Sequence, residues 1–207
     1  EEYIYIPDTE QVGLDITGDM SISAWVKPAI GSFETQKIIV SKWSEISNTS
    51  FLLFLEQDTV GVAINYDGGE YNYKVFYAPH GKNEGEWFHV GMVYTAASGT
   101  AELFIDGQSV GKSAEGFMPT SIANTNADFS IGGRQTRVSH FSGNIDEAKI
   151  WSRSLTSVQM LNQATIPATV RNGSNLQGYW KFNGNLKDRT ANANHFVSPT
   201  YSPDIPF

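Results

Sequence analysis

The chain has 207 residues, of which 40% are hydrophobic and 13% aromatic, enough apolar side chain for a substantial core. Only 17% are charged, against about a quarter in an average globular domain; Ser, Thr, Asn and Gly make up the difference, a profile common in extracellular β-proteins. A formal net charge of −8 and a pI near 4.9 set the surface against nucleic acid and anionic membrane, favour a cation or a neutral glycan, and accompany no apolar run near the ~18 residues of a membrane span.

Apolar and polar residues alternate almost throughout, as in half-buried strands. After an opening EEYIYIPD that lacks an initiator Met and suggests a domain cut from a longer protein, YIYIP (3–7) reads as a strand ended by proline. In MSISAWVKP (20–28), Ile22, Ala24 and Val26 alternate with Ser21, Ser23 and Trp25. KIIVSKW (37–43), FLLFLEQ (51–57), TVGVAINY (59–66) and YNYKVFYA (71–78) follow, the last two joined by Asp67-Gly68-Gly69-Glu70, whose glycines suit a tight hairpin. WFHVGMVYT (87–95) precedes TAELFIDGQSVG (100–111), which turns at Asp106-Gly107. ADFSIGG (127–133), GNIDEAKIW (143–151) and LQGYWKFNG (176–184) complete eleven or twelve short strands. Even spacing of this kind predicts an all-β antiparallel sandwich or jelly roll in one domain over 1–207.

The one helix signal is Thr156-Ser157-Val158-Gln159, a capping box with Thr156 as N-cap. Val158 and Leu161 would share its apolar face, Pro167 would limit it, and the helix would plug an end of the sandwich. Trp25, Trp87 and Trp151 are expected to fill the space between the sheets. The segment 162–175 reads as a long connection within the domain, and 112–126 as a polar loop long enough for contacts.

Five stretches in order resemble the laminin-G-like family of concanavalin A-like jelly rolls: MSISAWVKP, EWFHVGMVY, AELFIDGQSVG, FSIGGR and FSGNIDEAKIWSRSL. The C-terminal GYWKFNGNLKDRTANANHF resembles that family's first strand and loop, here at the end of the chain, with Ala191 and Ala193 in place of loop glycines. Either it takes the sheet position of an N-terminal strand, as the apolar run 176–184 favours, or it begins a second unit. The resemblance implies a calcium-stabilised, secreted or cell-surface module in which Asp146 and Asp188 share a calcium ion with help from Asn192 and Asn194. Calcium takes six to eight oxygens. The alternative is that Asp188 caps a turn and that Asp146 pairs with Lys149 or an arginine.

Catalysis finds little support. The superfamily includes glycosidases, which need paired carboxylates, but no E-x-D-x-x-E strand, lyase strand or nucleophile motif occurs. Alternation puts Ile145 and Glu147 on one face of their strand, with Asp146, Ala148 and Ile150 on the other, so the two adjacent acids would not meet one bond. His89 is expected to be packed or hydrogen-bonded. The absence of cysteine excludes disulfides and thiolate metal sites.

Binding is the better expectation. Sugar sites combine an aromatic face with a few fixed polar groups. Tyr71, Tyr73 and Tyr77 share one face of their strand, Tyr66 and Asp67 end its partner, Trp43 closes the 37–43 strand, and Arg134 follows the Gly132-Gly133 pair. The expected partner is a glycan or polysaccharide, with a protein ligand through rim loops as the other reading. Two glycosylation sequons stand at Asn48 and Asn172.

Overall fold

A computed structural model describes residues 3–44, 47–134, 139–166 and 174–197. Pro167 and Asn172, with the middle of the 162–175 connection, lie outside them. The strands in chain order are β1 (Ile4–Ile6), β2 (Met20–Pro28), β3 (Lys37–Trp43), β4 (Thr49–Glu56), β5 (Thr59–Asn65), β6 (Tyr73–Pro79), β7 (Phe88–Thr95), β8 (Thr100–Ile105), β9 (Gln108–Lys112), β10 (Phe129–Ile131), β11 (Gly143–Trp151) and β12 (Leu176–Trp180), with one α-helix, α1 (Ser157–Thr165). They form two six-stranded antiparallel sheets. The first runs β1-β10-β3-β4-β5-β6 and the second β12-β11-β2-β7-β8-β9.

The core is the alternate residues of both inner faces. Ile22, Ala24 and Val26 of β2 and Val90 and Met92 of β7 meet Phe51, Leu53 and Leu55 of β4 and Val60, Val62 and Ile64 of β5, all fully buried. The tryptophan between the sheets is Trp180, stacked on Phe129 at 5.4 Å and near Phe196 at 4.8 Å. This corrects the expectation for the other three. Trp25 lies between two inward residues and so points outward; Trp87 is 45% exposed, and Trp151 is buried outside the sandwich, under the helix.

Thr156 Oγ1 accepts from Gln159 N, and Gln159 reaches back to Thr156 N, so the capping box forms. The helix lies across the outer face of the second sheet instead of plugging an end. Met160 seats against Gly91, where an added Cβ would come 2.4 Å from its sulfur, and Val93, Phe104, Trp151 and Leu155 surround it. Val158 turns to solvent at 68% exposure, so the docked face differs from the expected one.

Both ends of the described residues are tied into the sheets. Lys42, 1% exposed, donates to Asp8 Oδ1 at 2.9 Å, Gln11 Oε1 at 2.8 Å and the Ala127 carbonyl at 2.9 Å, and pairs with Asp15 at 3.0 Å. At the other end β12 pairs with β11 as the second sheet's edge, and Val197 exchanges two backbone hydrogen bonds with Tyr5 of β1. The C-terminal strand thus completes a sheet of this sandwich.

Candidate functional site: an aromatic groove on the first sheet

β4 is apolar on both faces. Phe51, Leu53 and Leu55 face the core, while Leu52 and Phe54 face outward and form a second apolar cluster with Ile38, Trp43, Ala63 and Val75. In the middle of its outward face β5 presents small residues, Gly61 and Ala63, which pair across the ladder with Phe54 and Leu52. The Phe54 ring lies over Gly61, where a Cβ would stand 2.5 Å from it. Beyond this trough the edge strand β6 raises Tyr73, Val75 and Tyr77 on the same face. The resulting groove encloses about 340 Å³, within the usual range of small-ligand sites.

Its aromatic groups are held in place. Trp43 is 5% exposed and meets the ring of Tyr73 edge-on at 5.3 Å and 80°; Phe54 meets Tyr77 in the same way at 5.6 Å and 81°. Edge-to-face contacts of this kind are favourable and fix ring orientation. Tyr73 and Tyr77 remain 39% and 46% exposed, so each offers surface to a ligand. Partial burial, with the Glu56 carboxylate second, raises the pKa of Tyr77. Gln36, Glu70 and Arg134 supply the polar rim. Glu70 accepts from the hydroxyl of Tyr71, which is highly exposed, and this raises the Tyr71 pKa.

The groove therefore gathers Trp43, Tyr71, Tyr73, Tyr77 and Arg134. Tyr71 precedes β6 instead of lying within it. Tyr66 and Asp67 fall elsewhere. Tyr66 lines a separate hollow with Lys74, Phe117 and Pro119. Asp67 holds the hairpin, accepting from Gly69 N at 2.8 Å and from the Asn72 side chain. Gln36, Glu70 and the floor of Leu52, Phe54 and Ala63 are groove residues that sequence reasoning missed. The signal was the unbroken apolar run of β4, since a strand apolar on both faces has both faces in use.

The expected metal ligands sit on the second sheet and in the C-terminal loop. Between Asp146, opposite Trp25, and Lys149, opposite Ser23, β11 carries one extra residue. This is a β-bulge, with Glu147 in the left-handed region at φ 50°. It overturns the simple alternation: Ala148 and Ile150 join Ile145 on the core side, while Asp146 and Glu147 both belong to the outer face. Glu147 accepts from the Tyr179 hydroxyl and pairs with Lys149 at 3.8 Å; Asp146 Oδ1 accepts from Glu147 N at 2.8 Å. Burial, then the Glu147 charge, raises the Asp146 pKa against the opposing pull of that hydrogen bond. Burial lowers the Lys149 pKa to about 8. His89 is buried against Trp25, with ring centroids 5.9 Å apart and no hydrogen-bond partner on either ring nitrogen among the described residues.

Asp188, Asn192 and Asn194 come together in one buried network. Asp188 Oδ1 accepts from Tyr179 N and Thr190 N, both at 2.9 Å, and its Oδ2 from Thr190 Oγ1 at 2.6 Å and Asn194 N at 3.0 Å. Asn194 Oδ1 accepts from Val12 N, while its amide and that of Asn192 donate to Val12 and Gln177 carbonyls. A carboxylate has about four lone-pair positions, and all four here face donors. The donor set at Asp188 therefore does not fit calcium, and hydrogen bonds do the stapling that was expected of the ion. Among the described residues no three His, Asp or Glu side chains gather as a metal site, and no helix is long and apolar enough to cross a membrane.

Comparison with known proteins places this fold. In structure the chain is similar to the heptameric SAP-like pentraxin of Limulus polyphemus, with a TM-score of 0.65, 16% identity and coverage of 96% of this chain and 85% of that one. It is also similar to a candidate carbohydrate-binding protein of Bacteroides ovatus, at 0.70 and 18%, covering 98% of this chain but 58% of the other. A third likeness is the CBM40 of a Ruminococcus gnavus sialidase bound to α2,3-sialyllactose, at 0.58 and 14%, covering 79% and 94%. A search of curated protein sequences finds no match. A family model, Laminin_G_3, matches residues 1–160. The chain belongs to this laminin-G-type family of the concanavalin A-like lectin/glucanases superfamily.

Proposed function

We propose that this protein is a non-catalytic carbohydrate-binding module and that the groove on the first sheet receives the glycan. One observation carries the reading: Tyr73 and Tyr77 are exposed yet pinned edge-on by buried aromatic rings, beside a polar rim of Gln36, Glu70 and Arg134. An aromatic face covers the apolar side of a pyranose, and the rim groups take hydroxyls. A pinned ring loses little freedom on binding, so more of the contact energy appears as affinity. Glu70 is the sole carboxylate among the described lining residues, whereas glycoside hydrolysis uses two. The proteins named for carbohydrate binding among those of similar fold support the reading. So does the acidic, polar composition, which suits a secreted or cell-surface module.

The test is affinity electrophoresis of the protein in gels containing xylan, β-glucan, galactomannan, alginate or hyaluronan. Retardation in at least one gel, reduced in Tyr73→Ala with an unchanged melting curve, is the expected result. Free migration in all five, or retardation that survives the loss of both Tyr73 and Tyr77, sinks the proposal.

A further inference from the structure

The groove repeats itself along its bank. Tyr73 and Tyr77 stand four residues apart on β6, on one face, and each is buttressed by its own buried aromatic residue from the neighbouring strands: Trp43 at one end and Phe54 at the other. At about 3.3 Å per residue, two positions of this spacing lie roughly 13 Å apart, farther than a single sugar ring extends. Between them Val75 pairs with Ala63, while Gly61 pairs with Tyr77. The polar rim is divided as well. Glu70 belongs to the hairpin at the Tyr73 end, and Gln36 immediately precedes β3, whose first residues pair with the Phe54 end of β4.

We infer that the groove binds a chain of sugars laid along β6, with separate units on Tyr73 and Tyr77, and selects for ligand length instead of capturing a single terminal sugar. This rests on the carbohydrate reading above. A site for one sugar would need a single platform; two tyrosine platforms, each with its own aromatic buttress and separated by the Val75–Ala63 step, match a ligand that repeats. Both platforms sit on an edge strand, beside the groove. Asymmetry of the rim, acidic at one end and amide-bearing at the other, gives a bound chain a preferred direction.

Isothermal titration with oligosaccharides of one to six units, cut from whichever polysaccharide retards the protein, decides the matter. Affinity should climb steeply until the ligand spans both tyrosines and then level off. For the longest oligomer, Tyr73→Ala and Tyr77→Ala should each weaken binding on the order of tenfold, the size of one aromatic contact. Ligands too short to span should lose little when either tyrosine alone is removed, since the other platform remains. A monosaccharide that binds as tightly as the hexamer overturns the inference, and so does a series in which one tyrosine accounts for all binding. Either result leaves the carbohydrate reading standing. Failure of every polysaccharide to retard the protein removes both.

Discussion

Replacing Asp188 by Asn keeps the shape of a buried side chain, 6% exposed, and changes only what its oxygens can accept. In the native protein Oδ1 takes Tyr179 N and Thr190 N, and Oδ2 takes Asn194 N and Thr190 Oγ1. An asparagine can serve the first pair with its carbonyl oxygen. Its NH₂ group then faces Asn194 N, donor against donor, while the Thr190 hydroxyl can turn to accept. One buried amide is orphaned, at about 1–3 kcal/mol, and the surviving bonds lose their charge assistance, about another 1 kcal/mol. The sum is roughly 2–4 kcal/mol, which for a chain of this size lowers the melting temperature by roughly 5–15 °C. Thermal melts followed by circular dichroism, each run in EDTA and in excess calcium, measure it. We expect wild type to melt at the same temperature in both media and the variant to lose the same amount in both. A variant within about 2 °C of wild type would refute the hydrogen-bond reasoning. Wild type that falls to the variant's level in EDTA would show instead that a cation completes the site.

Three further outcomes test the rest of the reading. Gly61→Ala forces Phe54 off the trough, costing about 1–3 kcal/mol as overpacking; urea unfolding should show that loss, and glycan affinity should fall because Phe54 no longer pins Tyr77. Met160→Ala empties the contact with Gly91 under α1 and should cost about 2–5 kcal/mol in the same assay, while leaving glycan retardation unchanged, since the helix covers the other sheet. His89 is held neutral by burial, which takes its pKa down to about 3, with Lys149 adding to the shift and Asp106 opposing it. The unfolded chain takes up that proton near pH 6.5, so wild type should lose stability as pH falls from about 6.5 towards 3. The loss relative to His89→Phe should approach about 1.4 kcal/mol per pH unit; parallel pH profiles for the two proteins would contradict it.

Much of the fold was legible because period-two alternation is a local property. β2 and β11 span the same residues in sequence and structure, and the Thr156 capping box forms as its spacing demands. Even the outward position of Trp25 was written in its alternation with Ala24 and Val26, and the expectation of a core role came from size alone. Five of the seven expected ligand residues meet in one groove because three of them share a hairpin, while Trp43 and Arg134 lie on or beside the neighbouring strands of the same sheet. Tyr66 and Asp67 lie outside the groove for a local reason: both follow β5, where the chain turns, and a turn sends neighbouring side chains in different directions.

The sequence by itself determined which segments are strands, where most of them turn, and which alternate residues form the core. Those choices depend on neighbours two to four residues away. The tertiary structure alone decided the rest. Gly61 and Gly91 matter because Phe54 and Met160, far from them in the helix or strand pattern, need the space that a Cβ would take. The bulge at Glu147 reverses the face of every later side chain in β11, since a single inserted residue shifts a period of two by half a cycle. Asp188 became a hydrogen-bond acceptor because folding brought four donors around its two oxygens before any cation could be considered. And the groove exists because β3, β4 and β6, which alternation describes only one at a time, carry Trp43, Phe54 and the two tyrosines to matching heights on one face.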